Sequence, residues 1–151
     1  MTTIQRARPE QAEELTALTI AAKRHWNYPK KWIETWQSLL TIAAEYIRGN
    51  ETWVAVQNDK CIAYYSIKQD TKFFWLDNLW VLPEFIGQGI GGELFQHALE
   101  RSRACGASVL RIESDPNAQK FYEKMGAQKI GEERSEVDGQ PRILSIMEIK
   151  M

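Results

Sequence analysis

Between Leu79 and Leu94 an apolar stretch, Leu79-Trp80-Val81-Leu82, runs through Pro83 to Ile86 into a glycine-dense turn that opens directly into a helical pattern. Gly87, Gly89, Gly91 and Gly92 fall within six residues. Glycine lacks a Cβ, so successive backbone N–H groups can point into one concavity, and a helix start adds about half a positive charge there. Such a turn suits a phosphate or diphosphate. Four glycines serving only a tight turn is the plainer alternative. Gly87, Gly89 and Gly92 also meet the G-x-G-x-x-G dinucleotide fingerprint, with Glu113 about 20 residues on. Against that reading, Pro83-Glu84-Phe85-Ile86 separate the strand end from the first glycine, and only one short helix and a hairpin follow Glu113. A Walker P-loop is excluded because no Lys-Ser/Thr pair follows the glycines.

The surrounding elements must place this turn. The sequence predicts an extended start at residues 4–8, a helix after Pro9 carrying Leu15, Leu18 and Ala22, a break at Tyr28-Pro29, a helix with Trp32, Ile33, Trp36 and Leu40, and a short helix over 42–47 capped by Thr41. Three strands follow, at 52–56, 61–67 and 73–82, too close together for parallel crossovers and therefore an antiparallel meander. An amphipathic helix over 89–103 leads to a strand at 109–112, expected parallel to the third strand of the meander. A helix over 117–125 stops at Gly126, and a hairpin turning at Asp138-Gly139 closes the chain. The expected fold is α+β: one domain over 1–151, with a mostly antiparallel twisted sheet, one parallel step, and helices on both faces.

At these residues the sequence resembles the GNAT superfamily of N-acetyltransferases. The family's acetyl-CoA signature, Gln/Arg-x-x-Gly-x-Gly/Ala, is matched by Ile86-Gly87-Gln88-Gly89-Ile90-Gly91 at Gly89 and Gly91, with Ile86 in place of Gln or Arg. A second motif follows in Asn117-Ala118-Gln119-Lys120-Phe121-Tyr122-Glu123-Lys124-Met125-Gly126-Ala127. The likeness covers residue 52 onward closely and the first fifty residues by layout only.

The resemblance implies direct attack of a substrate amine, from a small molecule or a peptide, on the thioester of acetyl-CoA. It assigns the cofactor to Leu79, Trp80, Val81, the turn Ile86 to Gly92 (Gly87, Gln88, Gly89, Ile90, Gly91), Asn117 and Tyr122. Backbone at Leu79 to Val81 would face the developing oxyanion where the third strand parts from its neighbour. Tyr122 stands where the family commonly keeps its general acid; a tyrosine near pKa ~10 stays protonated at neutral pH and so has a proton to offer the leaving thiolate. Asn117 binds the pantetheine portion or caps its helix. For the base, strand alternation places Asp77 on one face with Leu79 and Val81, and Glu113 is the second candidate, with Arg111 or Lys120 as its alternative partners. Trp26, Tyr28, Trp32 and Trp36 either line the acceptor site by cation–π contact or pack two short helices onto the sheet. Trp26, Tyr28 and Glu113 are the expected substrate contacts. A non-catalytic acyl-CoA-binding or sensor module is the competing class.

Composition narrows the field further. Nineteen Lys+Arg against twenty Asp+Glu give a net charge of −1, which argues against a nucleic-acid or anionic-membrane partner. Cys61 and Cys105 show no metal-ligand spacing, so no metal is expected, and free thiols fit a reducing cytoplasm. No apolar run approaches the ~20 residues of a membrane-spanning helix. The C-terminal hairpin offers an edge for pairing with a second copy.

Overall fold

Turn chemistry sets most of the strand boundaries. Asn58 and Asp59 (φ 51° and 62°) and Asp138 and Gly139 (φ 51° and 76°) all take the left-handed conformation, which makes both hairpins close through two-residue turns matched to the strand twist. The computed structural model describes residues 2–151. Its elements are β1 (Thr3–Arg6), α1 (Ala12–Arg24), α2 (Lys30–Leu40), α3 (Ala44–Gly49), β2 (Glu51–Gln57), β3 (Lys60–Gln69), β4 (Phe74–Val81), α4 (Ile90–Ala104), β5 (Val109–Ser114), α5 (Gln119–Lys124), β6 (Gln128–Val137) and β7 (Gln140–Lys150). The strands form one sheet in the order β1-β2-β3-β4-β5-β7-β6. Every neighbouring pair is antiparallel except β4 and β5, the step that α4 crosses.

Consecutive residues on β3 show how the layers divide. Tyr64 is fully buried and its hydroxyl meets Thr19 of α1 at 2.5 Å, while the next residue, Tyr65, meets His97 Nδ1 of α4 at 2.6 Å. Successive side chains on a strand point to opposite faces, so α1 and α4 cover opposite sides of the sheet. Tyr46 of α3 reaches Ser66, two residues from Tyr64, which puts α3 with α1; Tyr122 of α5 packs on Phe95, which puts α5 with α4. Leu94, Phe95, Leu110 and Ile112 fill the core between them.

Two expectations change. Thr41 does not cap α3: its hydroxyl donates to the Gln37 carbonyl at 2.8 Å, at the end of α2, and α3 begins only after Ala43. The cause is Ile42, whose N–H donates to Thr16 Oγ1 at 2.8 Å and whose backbone is thereby pinned to α1 in a non-helical state. The second change concerns Asp77. Ser66 pairs with Asn78 and Ile67 with Leu76, so Asp77 is the extra residue of a β-bulge. A bulge resets side-chain parity. Leu79 and Val81 pair with Tyr65 and Ala63 and belong to the α4 face, whereas the Asp77 carboxylate accepts a 2.5 Å hydrogen bond from Tyr46 of α3.

The bulge coincides with a parting of the sheet. Pairing between β4 and β5 runs from Phe74–Leu110 to Leu76–Ile112 and stops, while β5 continues alongside β7 as far as Ser114. The backbone of β4 from Asp77 to Val81 therefore has no partner on its β5 side.

Candidate active site

The glycine turn joins the end of β4 to α4. Pro83–Phe85 form one turn of 3-10 helix, and Gly87 and Gly89 then adopt φ of 86° and 83°, a conformation costly for any residue with a Cβ. Gly89 is the residue before the first turn of α4, whose intrahelical hydrogen bonding begins with the Glu93 N–H to the Gly89 carbonyl. The N–H groups of Ile90, Gly91 and Gly92 precede that bond and are the unpaired donors of a helix start. A Cβ at Gly89 would meet nothing within 4 Å, so its requirement is purely conformational. Gly89→Ala should therefore destabilise the fold by about 1 kcal/mol and lower the melting temperature by about 2–4 °C, read by thermal unfolding.

Beside this turn, the gap between β4 and β5 opens into a cleft of about 290 Å³. Leu79, Trp80 and Val81 of β4, Ile86 and Gly91 of the turn, and Phe121 and Tyr122 of α5 line it, and Asp77, Glu113 and Trp26 stand around it. Tyr28, Gly87, Gln88, Gly89, Ile90 and Gly92 are not among the lining residues. Tyr122 is 7% exposed, and burial together with the nearby Asp115 charge pushes its hydroxyl well above the usual tyrosine range. No side chain among the described residues hydrogen-bonds that hydroxyl. It is a protonated donor facing the cleft at any neutral pH.

The acidic residues differ in their surroundings. Partial burial, then the Glu133 and Asp77 carboxylates, push Glu113 up to about 7. Arg111 does not pair with it: the two share a face of β5, but the Arg111 guanidinium lies 3.4 Å from Glu148, its cross-strand neighbour on β7. Lys120 makes no ion pair with Glu113 among the described residues either. Asp77 is held by Tyr46, whose hydroxyl also meets Ser66 Oγ at 2.8 Å.

Sequence reasoning missed Asp115, the centre of a polar cluster in the wall of the cleft. Its carboxylate accepts from Lys23 Nζ at 2.8 Å, from Arg142 at 2.9 Å, from the Tyr28 hydroxyl at 2.7 Å, and from the backbone and side-chain amides of Asn117 at 2.9 and 3.0 Å. Burial alone would raise this carboxyl; Lys23, Asn117 and Tyr28 outweigh that and hold it far below the ordinary carboxylate range. Lys23 moves down as well, because burial outweighs its pairing with Asp115. Asn117 does not cap α5, which starts after Ala118 without a side-chain cap; its amide goes to Asp115 and to the Tyr28 hydroxyl at 2.9 Å instead. The signal in the sequence was Asp115-Pro116-Asn117, a turn-forming triplet at the end of a strand.

The tryptophans divide. Trp26 is 41% exposed at the cleft. Trp32 and Trp36 pack with Tyr28 at centroid distances of 5.9 and 5.1 Å, over Ile33, Leu40 and Val137. The cations over these rings belong to the protein: Lys23 Nζ lies 4.7 Å from the Tyr28 centroid and 4.4 Å from that of Trp36, and the Arg142 guanidinium sits at 5.0 and 4.7 Å.

A meander, one parallel step crossed by a helix, a C-terminal hairpin and a sheet parted beside a helix start together make the fold expected for an N-acetyltransferase. The chain matches the acetyltransferase (GNAT) family over residues 12–127 and belongs to it. It is similar to the peptidyl-lysine N-acetyltransferase YjaB of Salmonella typhimurium, with 30% identity over 141 residues covering 91% of this chain and 90% of that one. Its fold is that of a GCN5-related N-acetyltransferase from Rhodopseudomonas palustris (21% identity, 100% of this chain and 96% of that one, TM-score 0.85). The PaiA N-acetyltransferase of Thermoplasma acidophilum, solved in complex with coenzyme A, is similar at 19% identity over 100% and 99% of the two chains, TM-score 0.78. Among the described residues no helix is long and apolar enough to cross a membrane.

Proposed function

We propose that the protein transfers the acetyl group of acetyl-CoA to a primary amine, a lysine side chain of a peptide or a small-molecule amine, by direct attack. The parting of β4 from β5 carries this reading, because it leaves the β5-facing edge of β4 from Asp77 to Val81 unpaired beside a cleft that Tyr122 also lines. The residues present fit acetyl-CoA: left-handed glycines and free helix-start N–H groups suit its diphosphate, and the unpaired edge suits an extended amide-bearing chain. The cofactor supplies an activated acyl group on a thiol leaving group. The N–H groups of Leu79 and Val81 face the parted edge and offer donors where negative charge develops on the acyl oxygen, while that of Trp80 turns toward β3. Tyr122 holds the proton that the departing sulfur needs.

Glu113 suits the task of relieving the amine of its proton. A base with a pKa near the working pH is most effective, and its value of about 7 meets that requirement. Asp77, anchored by Tyr46, adds negative charge that favours an ammonium at the mouth, and Trp26 offers it an aromatic face. The working form of Glu113 is the carboxylate, so kcat/KM should rise with pH through about 7. Glu113→Gln should abolish that limb and lower kcat/KM by about 10²-fold, measured as a pH–rate profile. An unchanged profile would remove Glu113 from the reaction.

The overall reading is tested by following thiol release from acetyl-CoA across a panel of lysine peptides and small amines. Steady turnover with any acceptor supports it. Coenzyme A binding without turnover on any amine favours a non-catalytic acyl-CoA-binding module.

A further inference from the structure

Asp115 and Tyr28 stand between two parts of the cleft that the reaction must bring together. On one side lies the connection from α1 to α2, which carries Trp26 to the cleft. On the other lies Asn117, which also lines the cleft, at the start of the turn into α5 and Tyr122. The Tyr28 hydroxyl donates to the Asp115 carboxylate at 2.7 Å and accepts from Asn117 Nδ2 at 2.9 Å, so one hydroxyl joins residues 87 to 89 positions apart in sequence. Between Trp26 and Tyr28, Asn27 takes φ of 58°, the left-handed turn conformation that asparagine tolerates better than most residues. The Asn27 N–H donates to the Arg24 carbonyl at 3.2 Å, and Tyr28 is fixed by Asp115 and by the Lys23 and Arg142 cations over its ring. Lys23 and Arg142 side chains are only 8% and 10% exposed, so this anchor is sheltered from solvent competition.

We infer that Tyr28 and Asp115 are positioning residues that couple the two substrate sites: when Asn117 is engaged on the cofactor side, the Tyr28 hydroxyl transmits the change to the loop that presents Trp26 to the acceptor. The inference rests on the reading of the cleft as the acetyl-CoA site. Asn117 has a fixed number of hydrogen-bond partners to offer, two N–H donors and one carbonyl, and two of its contacts are already committed to Tyr28 and Asp115. Both contacts use the Nδ2 donors, so a cofactor carbonyl that recruits an Asn117 N–H must share or replace one of these bonds, and the loop at 24–29 then re-forms its hold on Asp115. Coupling between binding sites requires two states that a ligand distinguishes, and the shared hydroxyl is the element that both sites bias.

The test is hydrogen exchange on the full chain with and without coenzyme A, in the wild type and in Tyr28→Phe, which keeps the ring and its packing and removes only the hydroxyl. Coenzyme A should change exchange of the amides over 24–29 by about fivefold or more in the wild type, and should leave them unchanged in Tyr28→Phe, while protection of the turn at 86–92 appears in both. Asn117→Ala should break the link from the other end and provides a second variant in which the Tyr28 hydroxyl is kept. Equal responses at 24–29 in wild type and Tyr28→Phe, or no response at 24–29 in a wild type that protects 86–92, would overturn the coupling while leaving the cofactor site intact. Absence of protection at 86–92 in the wild type would overturn the cofactor reading itself, and the coupling with it.

Discussion

Tyr122→Phe should lower kcat by about 10²- to 10⁴-fold and leave the dissociation constant of coenzyme A nearly unchanged. The ring of Tyr122 packs against Phe95 and Phe121 at centroid distances of 5.8 and 5.2 Å, and phenylalanine preserves those contacts. The hydroxyl makes no hydrogen bond within the protein that its removal would orphan. What is lost is a proton held ready in a buried site, where the neutral phenol is strongly favoured over phenolate. Because burial raises the tyrosine, no alkaline fall in kcat from its ionisation should be seen up to pH ~10 in the wild type. Unaltered kcat in the variant, measured by thiol release under saturating acetyl-CoA, would take Tyr122 out of the reaction.

Asp115→Asn should cost about 3 kcal/mol of stability, and lower the melting temperature by roughly 6–12 °C. Lys23 and Arg142 lose their shared counter-ion in the variant, while both side chains stay shielded from water. The size of the loss reflects two stranded cations more than the worth of the ion pairs, since burying Lys23 already works against its charge. The pH dependence has a definite sign. A carboxyl held below its unfolded value stabilises the fold above that unfolded value, near pH 4, and the contribution fades as pH falls through the lower folded value. Acid unfolding should therefore begin at higher pH in Asp115→Asn than in the wild type. The exposed pair Lys31–Asp138, at 3.0 Å with side chains 72% and 36% exposed, supplies the contrast: Lys31→Ala should change stability by less than about 1 kcal/mol.

The elements of the fold were readable wherever the pattern is local. Glycine at 106 and 126 ends α4 and α5 with φ of 95° and 103°, and the meander follows from the short turns at Asn58-Asp59 and 70–73. Parity on β4 was not readable across Asp77, because a bulge is a property of how two strands register and leaves no mark in one of them. For the same reason, the halt of β4–β5 pairing after Leu76 came only from the resemblance to a family; nothing in residues 77–81 forbids further pairing. The glycine turn could be seen directly, since positive φ restricts residue choice. The Asp115 anchor could not: Lys23, Tyr28, Asp115 and Arg142 come from α1, a loop, the end of β5 and β7, and no spacing in the chain connects them. Thr41 shows the reverse error, a good capping residue overruled by a tertiary contact between Ile42 and Thr16.

The most direct measurement is a crystal structure of the protein grown with coenzyme A. The diphosphate should rest on the N–H groups at 87–92, with the pantetheine chain hydrogen-bonded to β4 backbone between Asp77 and Val81 and its sulfur near the Tyr122 hydroxyl. Coenzyme A bound elsewhere, or β4 and β5 paired beyond Leu76–Ile112 with the cleft closed, would contradict the account.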